Sequence, residues 1–211
     1  MIKPKRLKLG DTIGVVAPAS PTTEDKVDKV QKKLKEMGFN VVMGKSCYLK
    51  YGYLAGKDEL RAEDLNYMFS NEKIDGIICL RGGYGTIRIL DLLDYNLIKA
   101  NPKVFIGYSD ITALHIAINQ RASLVTFHGP MAASDLVENV SSFTLNSLYN
   151  SILQEEFNGH IENSTEELIT INGGVAEGQL IGGNLYLIVS TIGTPYEIDT
   201  NMKKRQWGKF M

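Results

Sequence analysis

Val104-Phe-Ile-Gly-Tyr-Ser-Asp-Ile-Thr-Ala-Leu-His115 joins a short apolar run to an apolar-periodic segment through a glycine-led turn. Val104 to Ile106 is a short apolar run of the kind that forms a buried strand. Gly107, Tyr108 and Ser109 turn sharply into an apolar-periodic helix expected from Asp110 to Asn119. Ser109 therefore sits at a strand-to-helix elbow, where the free amides and dipole of a helix N-terminus favour negative charge. Two roles fit a serine there. It caps the helix by accepting a bond from a first-turn amide, or it is a nucleophile exposed above the sheet.

Working outward, the same alternation recurs. Strands are expected over Thr12 to Ala17, Val41 to Met43, Ile74 to Leu80, Val104 to Ile106 and Leu124 to Phe127. Helices are expected over Glu24 to Met37, Lys57 to Phe69, Thr86 to Leu93 and Asp110 to Asn119. In the first of these helices Val27, Val30, Leu34 and Met37 recur at spacings of three and four, and Gly38 stops it. This pattern predicts an α/β fold with a Rossmann-like or flavodoxin-like parallel sheet, followed by the start of a second, incomplete α/β domain. The division expected is 1–135 for the domain that carries Ser109, 136–172 for a connection, and 173–211 for the start of the second domain. A helix near Leu145 to Gln154 is expected within the connection. The last segment reads as a strand over Gly178 to Ile181 and a helix from Gly182-Gly183-Asn184 through Ile192, stopped by Gly193-Thr194-Pro195.

In a parallel sheet the ligand site lies beyond the carboxyl ends of the strands. Three loops are expected to converge there: Ala17-Pro18-Ala19-Ser20, Arg81-Gly82-Gly83-Tyr84-Gly85 and Gly107-Tyr108-Ser109. The glycine-rich loop departs from the dinucleotide fingerprint, with arginine where the third glycine belongs, and lacks the Gly-Lys-Ser/Thr of a P-loop. A structural turn, a phosphate cradle, and an oxyanion role facing Ser109 all remain open for it.

Composition narrows the classes. The 211 residues are 44% hydrophobic and 22% charged with a net charge of -1, which gives no global argument for nucleic acid or an anionic membrane. Lys3, Lys5, Arg6 and Lys8 precede no long apolar segment, so a signal peptide or membrane anchor is not expected. Cys47 and Cys79 have neither metal nor disulfide spacing, and a reducing, cytoplasmic compartment is the expectation. Neither metal nor cofactor is expected. Of three histidines, His115 lies roughly 9 Å along the helix from Ser109 and belongs to a helix face or the core. His128 ends a neighbouring strand, where a loop-stabilising role competes with that of a base, and His160 falls in a polar, solvated connection.

Five segments together resemble the LD-carboxypeptidases, serine peptidase family S66. They are Lys8-Leu-Gly-Asp-Thr-Ile-Gly-Val-Val-Ala-Pro-Ala-Ser20, Asp75-Gly-Ile-Ile-Cys-Leu-Arg-Gly-Gly-Tyr-Gly85, Ile106-Gly-Tyr-Ser-Asp-Ile-Thr-Ala-Leu-His115, Gly178-Gln-Leu-Ile-Gly-Gly-Asn-Leu185 and Thr194-Pro-Tyr-Glu197. The resemblance implies that Ser109 is the nucleophile and that the amides of Gly83 and Asp110 form the oxyanion hole. It implies a muropeptide or small-peptide substrate, with loss of a terminal D-alanine from cytoplasmic tetrapeptides in cell-wall recycling. A subgroup of the family instead hydrolyses a peptidyl-nucleotide antibiotic and confers immunity. A non-catalytic peptide-binding module is the competing reading.

The family's other triad members are a glutamate, in an apolar strand shortly after the Thr-Pro-Tyr-Glu region, and a histidine in a later Gly-His element. Neither is present. The sequence reads Trp207-Gly-Lys-Phe-Met211 where that strand should begin, and Glu177 and Glu197 do not match the glutamate's motif. A C-terminal truncation by frameshift or premature stop is the expectation, with very low activity. Apolar surface exposed over Leu180 to Ile192, and a homodimer or aggregation as its consequence, are expected with it.

Overall fold

In the computed structural model, residues 1–154, 163, 169–175 and 177–200 are described. His160 and the basic stretch 201–211, including Trp207 to Met211, lie outside them. Five parallel strands are found among the described residues: β1 (Thr12–Val16), β2 (Asn40–Met43), β3 (Gly76–Cys79), β4 (Val104–Gly107) and β5 (Phe127–His128). Their order is β2-β1-β3-β4-β5, the flavodoxin-like arrangement, and the sequence expectation of a parallel α/β sheet holds. The chain leaves β1 in one direction to make β2 and returns to the other side for β3. The crevice of such a sheet opens at that reversal, between the exits of β1 and β3.

Alternation along each strand feeds two cores. Ile77, Cys79 and Phe105 point to one face, against α2 (Asp58–Ser70) and α4 (Thr112–Ala122), through Leu65, Met68, Phe69 and Leu114. Ile78, Val104 and Ile106 point to the other, against α1 (Glu24–Glu36) and α5 (Ser142–Leu153), through Val27, Val30, Leu34, Leu148 and Ile152. Burial on both faces explains why these strands read as continuous apolar runs. The helix expected near Leu145 to Gln154 is α5. It packs on the sheet, and the Ile152 carbonyl accepts a bond from the Leu7 amide at 2.8 Å.

Several boundaries differ from the sequence reading. Thr86–Leu92 is a 3-10 helix, and a short helix α3 (Tyr95–Ala100) follows it. Asp94 caps α3 by accepting from the Leu97 amide at 2.9 Å, a signal present in the sequence and passed over. Leu124 is not in the fifth strand: it bridges to Ile2, whose backbone bonds Ser123 and Val125 hold. Gly178 to Ile181 forms no strand, because nothing among the described residues pairs with it. A helix follows as expected, α6 (Leu185–Ser190). It rests on α4: the Asn184 amide donates to Thr112 Oγ1 at 3.0 Å, and Leu187 and Tyr196 join the core. Leu180, Leu185, Tyr186, Val189 and Ile192 are exposed, which matches the expectation for that face.

Candidate active site

The elbow after β4 is tighter than a strand running straight into a helix. Ser109 to Ile111 form a single 3-10 turn, and α4 begins at Thr112 rather than at Asp110. Ser109 has φ of 61°, in the left-handed region. A non-glycine residue there costs about 1–2 kcal/mol, and such strain is kept where the surrounding structure enforces it. The capping role does not survive. No side-chain cap bond is made at the start of either the turn or α4, and among the described residues Ser109 Oγ has no hydrogen-bond partner. The hydroxyl is half-buried, strained and free.

The glycine-rich loop lies directly against it. A Cβ built on Gly82 would stand 3.1 Å from Ser109 Cβ and 3.4 Å from its Oγ, so glycine allows this approach. Gly83 has φ of 132°, and a Cβ there would fall 2.1 Å from Ser20 Oγ. Ser20 Oγ in turn accepts from the Tyr84 amide at 3.3 Å. The three loops expected to converge therefore do so. Gly83 is exposed beside Ser109's neighbour Gly82, whereas Asp110 is buried and its side chain turns inward.

That inward carboxylate has a purpose the sequence reading missed. Asp110 Oδ2 accepts from the Thr86 amide at 3.0 Å, and Thr86 Oγ1 donates to the Asp110 carbonyl at 2.6 Å. The residue after the nucleophile candidate is thus tied twice to the residue that ends the glycine-rich loop. Burial raises the Asp110 carboxyl above the usual aspartate value, and the bonds from Thr86 act against that rise.

Arg61 was also missed. It is fully buried on α2, and its guanidinium donates to the carbonyls of Pro18 and of Gly85, the latter at 3.1 Å, while pairing with Asp58. Asp58 also holds Arg88 through two bonds, at 3.1 and 2.7 Å. Bonds from Arg88 and then Arg61 hold the Asp58 carboxyl below the usual range. One cation therefore clamps the exits of β1 and β3. The available signal was positional, since Arg61, Leu65 and Met68 share the buried stripe of α2.

Among the described residues, neither His115 nor His128 is hydrogen-bonded to Ser109. His115 is buried, its Nε2 lies 2.8 Å from the Gly107 carbonyl, and burial pushes its imidazole down to about 4. It is neutral and donates to that carbonyl, so it braces the elbow from inside the core. Among the described residues its Nδ1 has no partner. His128 is exposed at the end of β5, opposite Gly107 in the ladder, with its ring 6.0 Å from those of both Tyr108 and His115. No cluster of His, Cys, Asp or Glu able to hold a metal is found among the described residues. Burial pushes the Cys47 thiol up to about 12 and holds that of Cys79 well above the ordinary thiol value, which disfavours a reactive thiolate at either.

An oriented, unpartnered serine at a sheet edge, with a glycine-rich backbone against it, is suited to acyl transfer. A family model for the LD-carboxypeptidase N-terminal domain matches residues 13–129, more than half of the chain. The chain belongs to the LD-carboxypeptidase family, peptidase S66. A Bacillus subtilis (strain 168) protein named "Probable murein peptide carboxypeptidase" is 48% identical over 206 residues, covering 95% of this chain and 63% of the relative. A muramoyltetrapeptide carboxypeptidase structure from Oxalobacter formigenes has a TM-score of 0.76 at 30% identity, covering 89% of this chain and 62% of that one. A microcin C7 self-immunity protein solved with adenosine monophosphate has a TM-score of 0.81 at 26% identity, covering 94% and 68%. This LD-carboxypeptidase family member thus spans slightly under two thirds of the length of its curated relative. No helix among its described residues is long and apolar enough to cross a membrane.

Proposed function

We propose that Ser109 is the nucleophile of a serine-type LD-carboxypeptidase that removes the terminal D-alanine from muropeptide tetrapeptides in cytoplasmic cell-wall recycling. The observation that carries this is the left-handed Ser109, its hydroxyl free and its Cβ packed on the glycine-rich loop. In the reaction, Ser109 Oγ attacks the carbonyl carbon of the L–D amide as its proton passes to a base. The oxyanion is received by the backbone amides of Gly83 and Asp110. Collapse expels the amine of D-alanine, which takes up a proton, and water then hydrolyses the ester to restore Ser109.

The base and its orienting carboxylate are assigned to the family's later glutamate and histidine motifs, which lie outside these 211 residues. The 211 residues therefore provide the nucleophile half of the site and turn over very slowly alone. The division into 1–135, 136–172 and 173–211 belongs to the same proposal, with residues 173–211 contributing the opening part of a second domain.

The test joins residues 1–200 to the remaining C-terminal third of the Bacillus subtilis relative and measures D-alanine released from a muramoyl-tetrapeptide. The fusion is expected to release D-alanine, its Ser109→Ala form is not, and the 211-residue chain should fall at least about four powers of ten below the fusion. Equal turnover by the Ser109→Ala fusion would remove the nucleophile assignment.

A further inference from the structure

Tyr53 and Tyr84 form an aromatic corner at the site that the chemistry above does not use. Tyr84 is the residue after Gly83 in the glycine-rich loop, and its ring meets that of Tyr53 edge-on, with centroids 5.7 Å apart and planes at 64°. Tyr53 is 60% exposed and Tyr84 51%, so both side chains remain accessible to a ligand.

The corner is held rigidly. Tyr53 sits in a turn closed by two backbone bonds between Tyr51 and Leu54, at 2.7 and 3.0 Å. Leu54 is buried. The Ala55 amide donates to the Ala19 carbonyl at 3.0 Å, which docks the turn on the loop after β1. Tyr84 is pinned through its amide by Ser20. Two aromatic rings kept exposed on a fixed frame form a pre-organised contact surface, because little side-chain freedom is left to lose on binding.

We propose that Tyr53 and Tyr84 form a carbohydrate subsite that stacks on the pyranose ring at the N-terminal end of a muropeptide. The proposal rests on the muropeptide reading of Ser109 given above. Two faces at 64° suit a puckered ring that carries C–H groups on more than one side. A flat base stacks on one face only. The phenol hydroxyls add hydrogen-bonding capacity of the kind sugar hydroxyls meet. The reach also agrees. Gly82 touches Ser109, and Tyr84 is two residues further on, at most about 7 Å of backbone before its side chain extends. Three peptide residues between the scissile bond and the sugar span about 10 Å.

The test uses the full chain with Ser109→Ala to stop turnover, and calorimetric titration with N-acetylmuramoyl-tetrapeptide, the same tetrapeptide without sugar, and adenosine monophosphate. The sugar-bearing ligand is expected to bind about three- to tenfold more tightly than the sugar-free one. Adding Tyr53→Ala and Tyr84→Ala should erase that difference while leaving sugar-free binding in place, and Tyr53→Phe with Tyr84→Phe should keep most of it. A difference that is absent in the parent or survives the double alanine change overturns the subsite. Loss of adenosine monophosphate binding in that variant, with no sugar effect, assigns the corner to a base instead. Loss of a concentration-dependent dimer in sedimentation, with no sugar effect, assigns it to a second copy and likewise overturns the subsite. If neither peptide binds, the muropeptide reading itself fails and the subsite falls with it. If the tetrapeptide binds and the sugar adds nothing, only the subsite is lost.

Discussion

Replacing Arg61 by methionine separates the clamp from ordinary core packing, because methionine fills much of the same volume without donors. Arg61 is fully buried and its guanidinium serves the carbonyls of Pro18 and Gly85 and the carboxylate of Asp58. Losing it leaves the buried Pro18 carbonyl unpaired, at about 1–3 kcal/mol, and removes one of two bonds to the Gly85 carbonyl, which keeps the Arg88 amide at 3.2 Å, at about 1 kcal/mol. Asp58 loses one partner but keeps Arg88, so little is added there. Against this, the desolvation cost of the buried cation is recovered, which takes back part of the loss. The net is a destabilisation of about 2–3 kcal/mol, since no buried charge is left unpaired. With a urea slope of about 2 kcal/mol per molar, the unfolding midpoint followed by circular dichroism should fall by about 1–1.5 M. Arg61→Lys, which keeps a charge but loses the fork, should fall between the two. A methionine variant within about 1 kcal/mol of the parent would show that the recovered desolvation cancels the lost bonds, and that Arg61 does not hold the loops.

The remaining expectations concern the elbow and its neighbours. His115 titrates near 4 when folded and near 6.5 when unfolded. The unfolded chain therefore binds the extra proton between those values, and stability rises with pH across that window. The contribution, about 3 kcal/mol, is complete above 6.5 and is lost as pH falls toward 4. His115→Gln should flatten the urea midpoint over that range, and an unchanged slope relative to the parent would contradict the assignment. Gly83→Ala should cost more stability than Gly82→Ala, because it meets Ser20 at 2.1 Å with φ of 132°, against a contact of 3.1 Å for Gly82. Thermal unfolding of the two variants decides this, and the reverse order would refute the loop geometry. Thr86→Val removes the donor to the Asp110 carbonyl and should lower stability by about 1–2 kcal/mol. Chemical denaturation within error of the parent would count against that tie.

The fold was legible because the evidence for it is local. The apolar runs ending at Ala17, Leu80 and Ile106 and the three-and-four spacing of Val27, Val30 and Leu34 identify a parallel sheet without any knowledge of contacts. The convergence of three loops followed from strand ends alone. The clamp was not legible in the same way. Arg61 shares its helical spacing with Leu65 and Met68, but a charged residue at that spacing reads as solvated until the packing of α2 shows it to be internal. Thr86 and Asp110 are distant in sequence, and their double tie depends on β3 and β4 lying side by side. Thr86 to Leu93 reads as a helix and Thr86–Leu92 is one, but periodicity does not separate a 3-10 helix from an α-helix over so short a segment. Gly178 to Ile181 shows the opposite failure, where an apolar run resembles a strand and no partner stands beside it.

Ser109 is proposed as a nucleophile activated by groups outside these 211 residues. A fluorophosphonate probe reads this most directly, because it reacts only with an activated hydroxyl. Labelling is followed by mass mapping of the peptide that contains Ser109. The chain extended with the Bacillus subtilis C-terminal third is predicted to give one adduct, at Ser109, while the 211-residue chain stays unlabelled over the same time. Labelling at another residue, or equal labelling rates for the two chains, would contradict the claim.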